Sequence, residues 1–136
     1  MSDEEKILNV WGGPNCPIDA TLNLIGRKWV ISIIRDMYTG KKHFTEFKEN
    51  KNNLTNAVLS DTLKFMEEND LLEKKYNDNA SRNNTEYYLT DKSRALNKVI
   101  YEMVLYGLDT LKCDSDIVDD FPQKMKKSYK NLLEIE

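Results

Sequence analysis

Between Phe44 and Leu89 the hydrophobic period of the chain changes from helical to alternating, and that change limits what the chain can fold into. Phe44-Thr45-Glu46-Phe47-Lys48-Glu49 keeps its apolar residues on one side of a brief helix. Asn50-Lys51-Asn52-Asn53 breaks it, since asparagine tolerates turn geometry by bonding its own backbone. Thr55 offers a hydroxyl as an N-cap, and a second helix can run from there to Asn69. Leu59, Leu63 and Met66 fall at i, i+4 and i+7 and form its buried face, with Thr62 at the edge. Asn56, Ala57, Ser60, Asp61 and Lys64 are left looking outward. A helix anchored along one side, with small polar residues on the other, is placed to present that side to something else.

Two alternating stretches follow, Leu72-Glu73-Lys74-Lys75-Tyr76 and Thr85-Glu86-Tyr87-Tyr88-Leu89, each with apolar residues two apart. The segment between them, Asn77 to Asn84, has no apolar side chain larger than Ala80 and carries one arginine, Arg82. A loop that polar has no core to join. It reads either as a projecting wing or as a plain solvated hairpin turn, and the helix-turn-helix directly before it favours the wing. The fold expected is mainly α with a small β-hairpin, a winged helix-turn-helix.

The rest of the chain frames this unit. Trp11-Gly12-Gly13-Pro14 breaks any helix, so residues 1–15 read as an N-terminal arm. Cys16-Pro17 opens a helix, with proline where its missing N–H costs little; Ile18, Leu22 and Ile25 share a face, and Gly26 ends it. Lys28 to Tyr38 is apolar almost all round and should be the central helix. Beyond the hairpin, Thr90-Asp91 caps a helix expected to run unbroken to about Leu111. Its stripe of Leu96, Val99, Ile100, Met103, Val104, Gly107, Leu108 and Leu111 is too long for a domain this size to cover alone. Core packing along its first half and a dimer interface along its second half would account for it. Pro122 can start a last helix in which Met125, Tyr129, Leu132 and Leu133 oppose Lys124, Lys126, Lys127 and Lys130. The organisation expected is an arm over 1–15 and one domain over 16–136, with a DNA-binding core at about 28–89 and C-terminal helices for dimerisation.

A chain of 136 residues is enough for one domain. No run approaches the roughly 20 apolar residues of a membrane span. The acidic start Met1-Ser2-Asp3-Glu4-Glu5-Lys6 has no signal-peptide core, so a cytoplasmic protein without membrane contact is expected. The net charge of −3 argues against binding nucleic acid by bulk charge. From Arg27 to Lys64, however, eight basic residues face four acidic ones, and much of the acid lies in the two tails. No catalytic constellation can be assembled: His43 is the only histidine, and no Ser or Cys has a recognisable base. Gly-rich phosphate loops and His/Cys metal spacings are missing, so neither an enzyme nor a cofactor is expected.

Cys16-Pro17-Ile18, Leu22, Leu24-Ile25-Gly26 and Lys28-Trp29 resemble the opening signature of the HxlR family of transcriptional regulators, relatives of the MarR group. The resemblance continues through Phe44-Thr45-Glu46-Phe47, Val58-Leu59-Ser60, Leu63 and Glu67, then Leu71-Leu72-Glu73, Glu86-Tyr87 and Leu89-Thr90. It implies a homodimer that binds a palindromic double-stranded operator, a repressor in preference to an activator, switched by an oxidant, an electrophile or a small ligand. By position it places Thr45, Thr55, Asn56, Ala57, Ser60, Asp61 and Lys64 at or near DNA, with Arg82 in the wing. Asn56-Ala57 stands where relatives often carry Pro-Lys, and Asp61-Thr62 where Gln and Arg are common, so the recognition helix is less basic than usual. Cys16 occupies a position where some relatives carry an oxidant-sensing thiol. Its place at a helix start favours a thiolate, while Asp19 and its apolar neighbours favour a buried, inert role. The competing function class is a winged-helix protein-interaction module without sequence-specific DNA binding, which the acidic pI of about 5.3 favours.

Overall fold

The computed structural model describes residues 1–76 and 85–136. The chain forms α1 (Asp3–Leu8), a 3-10 turn at Gly13–Asn15, α2 (Pro17–Ile25), α3 (Val30–Tyr38), α4 (Phe44–Phe47) and α5 (Asn56–Glu68). These are followed by β1 (Leu72–Tyr76), β2 (Thr85–Leu89), α6 (Asp91–Arg94), α7 (Asn97–Asp109) and α8 (Phe121–Leu132). The expected order of helix, turn, helix and hairpin is present. None of the described helices is long and apolar enough to cross a membrane.

α3 is the hub, as its all-round apolarity predicts. Val30, Ile33, Ile34 and Met37 are buried against Phe47, Leu54 and the inner face of α5, namely Leu59, Leu63 and Met66. Ile100 of α7 and Leu133 after α8 close the same core from the other side. The strands pair antiparallel with Leu72 opposite Leu89 and Tyr76 opposite Thr85. A further bond, from the Tyr87 N–H to the Lys42 carbonyl at 2.8 Å, ties the segment before α4 to the hairpin. Along β1 only Leu72 is buried, while on β2 the buried Tyr87 joins the core cluster.

α5 is held at both ends by local chemistry. The Thr55 hydroxyl accepts from the Val58 N–H at 3.2 Å. At the C-terminus the Leu71 N–H bonds the Met66 carbonyl at 2.7 Å and the Asp70 N–H bonds the Glu67 carbonyl at 3.1 Å, a Schellman arrangement. That motif puts Asp70 at φ 59°, left-handed backbone that glycine adopts without a Cβ penalty. Asp70→Gly is therefore expected to raise folding stability by up to about 1 kcal/mol. An upward shift of the urea midpoint checks this, and a downward shift would mean that the aspartate side chain has a role of its own.

The single helix expected from Thr90 to about Leu111 is two helices. Ser93 is fully buried. Its hydroxyl accepts from the Thr90 N–H at 2.9 Å and donates to the Thr90 carbonyl at 3.0 Å. The Leu96 N–H then bonds the Ser93 carbonyl at 3.0 Å, an i to i−3 bond that tightens the turn and redirects the chain into α7. The apolar stripe divides: Ile100 and Leu108 of α7 are buried, whereas Val99 and Met103 of α7 and Leu111 beyond it are exposed, with Tyr106, outside the stripe, exposed beside them. On α2 the predicted face of Ile18, Leu22 and Ile25 meets no core. Ile18 and Leu22 are exposed, and Gly26 ends the helix where a Cβ would press on the Leu22 carbonyl at 2.5 Å.

Candidate nucleic-acid interface

α4 and α5 hold the candidate surface between them. The Glu46 carboxylate accepts from the Lys42 and His43 N–H groups at 3.3 and 3.0 Å and fixes the entry to α4. His43 Nδ1 lies 3.4 Å from the Thr85 carbonyl, so the sole histidine is a turn residue against β2. After the turn, Thr55, Asn56, Ala57, Ser60, Asp61 and Lys64 are all exposed, as is Thr45 on α4. The small polar face predicted for α5 is therefore uncovered by the described chain.

Between α4, α5 and the hairpin lies an open cleft of about 1300 Å³. Phe44, Leu63 and Tyr87 contribute apolar surface to it. Thr45, Asn56, Ser60 and Lys64 meet along its walls, so four of the predicted residues share one concave surface. Thr55, Ala57 and Asp61 are exposed on the same helix or its cap but do not line the cleft. Arg82 lies outside the described residues.

Three residues at or near this surface were not singled out from sequence. Lys74 and Tyr76 of β1 line the far side of the cleft, and the Lys74 ammonium lies 5.5 Å from the Tyr76 ring centroid. Hydrogen bonding to Tyr76 holds the Lys74 ammonium above the ordinary lysine range, against a smaller opposing effect of burial. Both belong to the Leu72 face of the alternating strand, which was the available signal. The third is Lys48, whose ammonium donates to Asn56 Oδ1. Lysine has no acceptor, so this contact leaves the amide NH2 of Asn56 as the free, donating end.

The surface is weakly charged. α5 carries Lys64 against Asp61, Glu67 and Glu68. Lys41 pairs with Glu49 at 3.6 Å and Lys42 with Glu86 at 3.9 Å, both on exposed or half-exposed side chains, where such pairs contribute little. Lys51, counted above with the local basic residues, is buried with Asp36 and adds nothing to this surface.

The family described as HxlR-like helix-turn-helix matches residues 24–115. The chain belongs to that family. Its helix-turn-helix and hairpin are thus those of an HxlR-like transcriptional regulator. It is 30% identical over 92 residues to the uncharacterized HTH-type transcriptional regulator YdeP of Bacillus subtilis (strain 168), covering 68% of this chain and 71% of YdeP. The redox regulator HypR in its reduced form superposes with a TM-score of 0.64 at 28% identity, over 71% of this chain and 98% of HypR. The quinone-bound YodB of B. subtilis superposes with a TM-score of 0.57 at 29% identity, over 68% of this chain and 96% of YodB. The HxlR-like match leaves out α1, the 3-10 turn, Cys16, all but the last two residues of α2, and all of α8.

Cys16 is 6% exposed and sits at the N-cap of α2 without capping it through its side chain. The Gly13–Asn15 turn packs on α2, and the Gly12 N–H bonds the Asp19 carboxylate at 2.8 Å, which folds the arm over this helix start. Cys113 is exposed. No group of His, Cys, Asp and Glu side chains among the described residues could hold a metal ion.

Proposed function

We propose that the chain is a cytoplasmic repressor that binds a palindromic duplex operator as a homodimer, with α5 in the major groove and the hairpin as the wing. The observation that carries this reading is the exposed polar face of α5, where Thr45, Asn56, Ser60 and Lys64 line one cleft. Asn56 donates to base acceptors, Ser60 donates or accepts, and Lys64 meets a guanine or a phosphate. Asp61 accepts from a cytosine amino group, while Thr55, Ala57 and Arg82 complete the contact surface. The domain division follows: residues 1–15 act as an arm, 16–136 as one unit, and about 28–89 as the DNA-binding core.

Selection of bound duplexes from a random library tests the reading, and a palindromic consensus is the expected product. Lys48, Lys64 and Lys74 from each protomer then give a slope of log affinity against log salt of about −5, from released counterions. The acidic composition of α5 favours the second reading, a protein-interaction module. A flat salt profile with no selected consensus would establish that module and overturn the operator.

HypR has been solved in a reduced form and YodB with a quinone, which supports a response to oxidants or electrophiles in this chain too. Cys16 is the proposed sensor, and its burial makes it the slower of the two thiols. A thiol reagent is expected to label Cys113 first. A quinone or diamide should weaken operator binding by the wild type and not by Cys16→Ser. Equal weakening would make Cys16 a packing residue and move the response to Cys113, and no response in either protein would point to an effector other than an oxidant.

A further inference from the structure

The chain holds one buried ion pair among the described residues, and it joins the hub helix to the turn that precedes α5. The Lys51 ammonium meets the Asp36 carboxylate of α3, and both side chains are 6% exposed. The same ammonium donates to the Phe47 carbonyl at the end of α4 at 2.8 Å. Arg35 approaches the other carboxylate oxygen at 3.4 Å. The backbone around the pair is equally committed: the Asp36 carbonyl accepts from the Thr39 hydroxyl at 2.6 Å and from the Lys41 N–H at 3.2 Å. Asn50, just before Lys51, turns the chain at φ 62°, and the Leu54 N–H bonds the Lys51 carbonyl at 3.1 Å, one residue before the cap of α5.

We propose that Lys51 and Asp36 are positioning residues for DNA recognition, fixing where α5 begins relative to α3 without touching DNA themselves. The inference rests on the operator-binding reading. Its physical basis is that a buried ion pair adds little net stability over a well-packed apolar pair of similar volume. What it adds is direction. One ammonium satisfies a carboxylate on α3 and a carbonyl on α4 only when the turn lies in one place, whereas apolar contacts tolerate sliding. The face of α5 needs that placement, since Asn56, Ser60 and Lys64 gain nothing from a base edge outside hydrogen-bond reach.

The test compares wild type, D36L/K51M, K51R and D36N on the consensus duplex selected by the wild type. D36L/K51M is expected to keep its urea midpoint near that of the wild type while losing about tenfold or more in affinity, the size of one lost base contact. Its salt slope should be unchanged. K51R keeps the charge and the bonds and should bind within about threefold of wild type. A folded D36L/K51M of wild-type affinity would overturn the proposal. So would a salt slope reduced by about one per protomer, because that marks Lys51 as a phosphate contact. Should the double variant not fold, D36N decides: reduced affinity supports the pair, and wild-type affinity overturns it. A wild type that selects no duplex fails the operator reading instead. Amide exchange at Leu54 to Leu59 then decides, with faster exchange in D36N expected and equal exchange overturning the proposal.

Discussion

Phe47→Ala is expected to cost about 3–5 kcal/mol of folding stability, against the roughly 5–15 kcal/mol that a domain of this kind has in total. Phe47 is fully buried at the end of α4. Its ring meets Tyr87 of β2 edge-on, with centroids 5.9 Å apart at 64°, so one side chain joins the helix-turn-helix to the hairpin. Its carbonyl also accepts from Lys51. Truncation leaves a cavity where α3, α4 and β2 converge and frees the ring of Tyr87, whose burial holds its phenol above the ordinary range. Urea unfolding measures the cost, and operator binding should vanish above the lowered thermal midpoint while surviving in the cold. Phe47→Leu, which refills most of the volume, should cost less than about 1.5 kcal/mol. A loss under 1 kcal/mol for the alanine variant would show that the two halves of the DNA-binding unit are not joined through this ring.

The parts of the molecule legible in the sequence are those fixed by local signals. Thr55 and Asn69 bracket α5 as read, and Leu59, Leu63 and Met66 are buried as their spacing requires. Both strands of the hairpin have the bounds that alternation gave them. What sequence did not reveal depends on partners distant along the chain. Lys51 looked like a surface cation because lysine usually is one, and only Asp36 on α3 makes its burial tolerable. The break after Arg94 is missed because an apolar period runs through it, while the cause, the burial of Ser93 against Thr90, is tertiary. Within the candidate site, helical spacing gathered Asn56, Ser60 and Lys64 correctly, yet Lys48, Lys74 and Tyr76 reach that surface from other elements and carried no motif.

Met103→Glu combined with Tyr106→Ser is expected to convert the proposed dimer to a monomer and to cut operator affinity by about 10²–10⁴-fold. Met103 is 46% and Tyr106 59% exposed on α7, beside Val99 and Leu111 in a shallow apolar depression rimmed by Lys98 and Glu102. α8 packs on α7, with Lys126 meeting Asp109 at 2.7 Å, and still leaves that depression open. A second copy is the occupant that the operator reading requires, since two recognition helices held about 34–36 Å apart read two half-sites in one event. Each protomer then finds its half-site at the high effective concentration set by the other, and this is the contribution a monomer loses. Neither replaced side chain belongs to the buried core cluster, so the urea midpoint extrapolated to low protein concentration should stay close to that of the wild type. Sedimentation at tens of micromolar reads the association state, and a gel shift on full and half operators reads affinity. A variant that remains dimeric would move the interface to another exposed apolar face, such as that of Ile18 and Leu22 of α2 with Trp11 of the arm nearby in sequence. A monomer that still binds the full operator like the wild type would remove the dimer from the mechanism altogether.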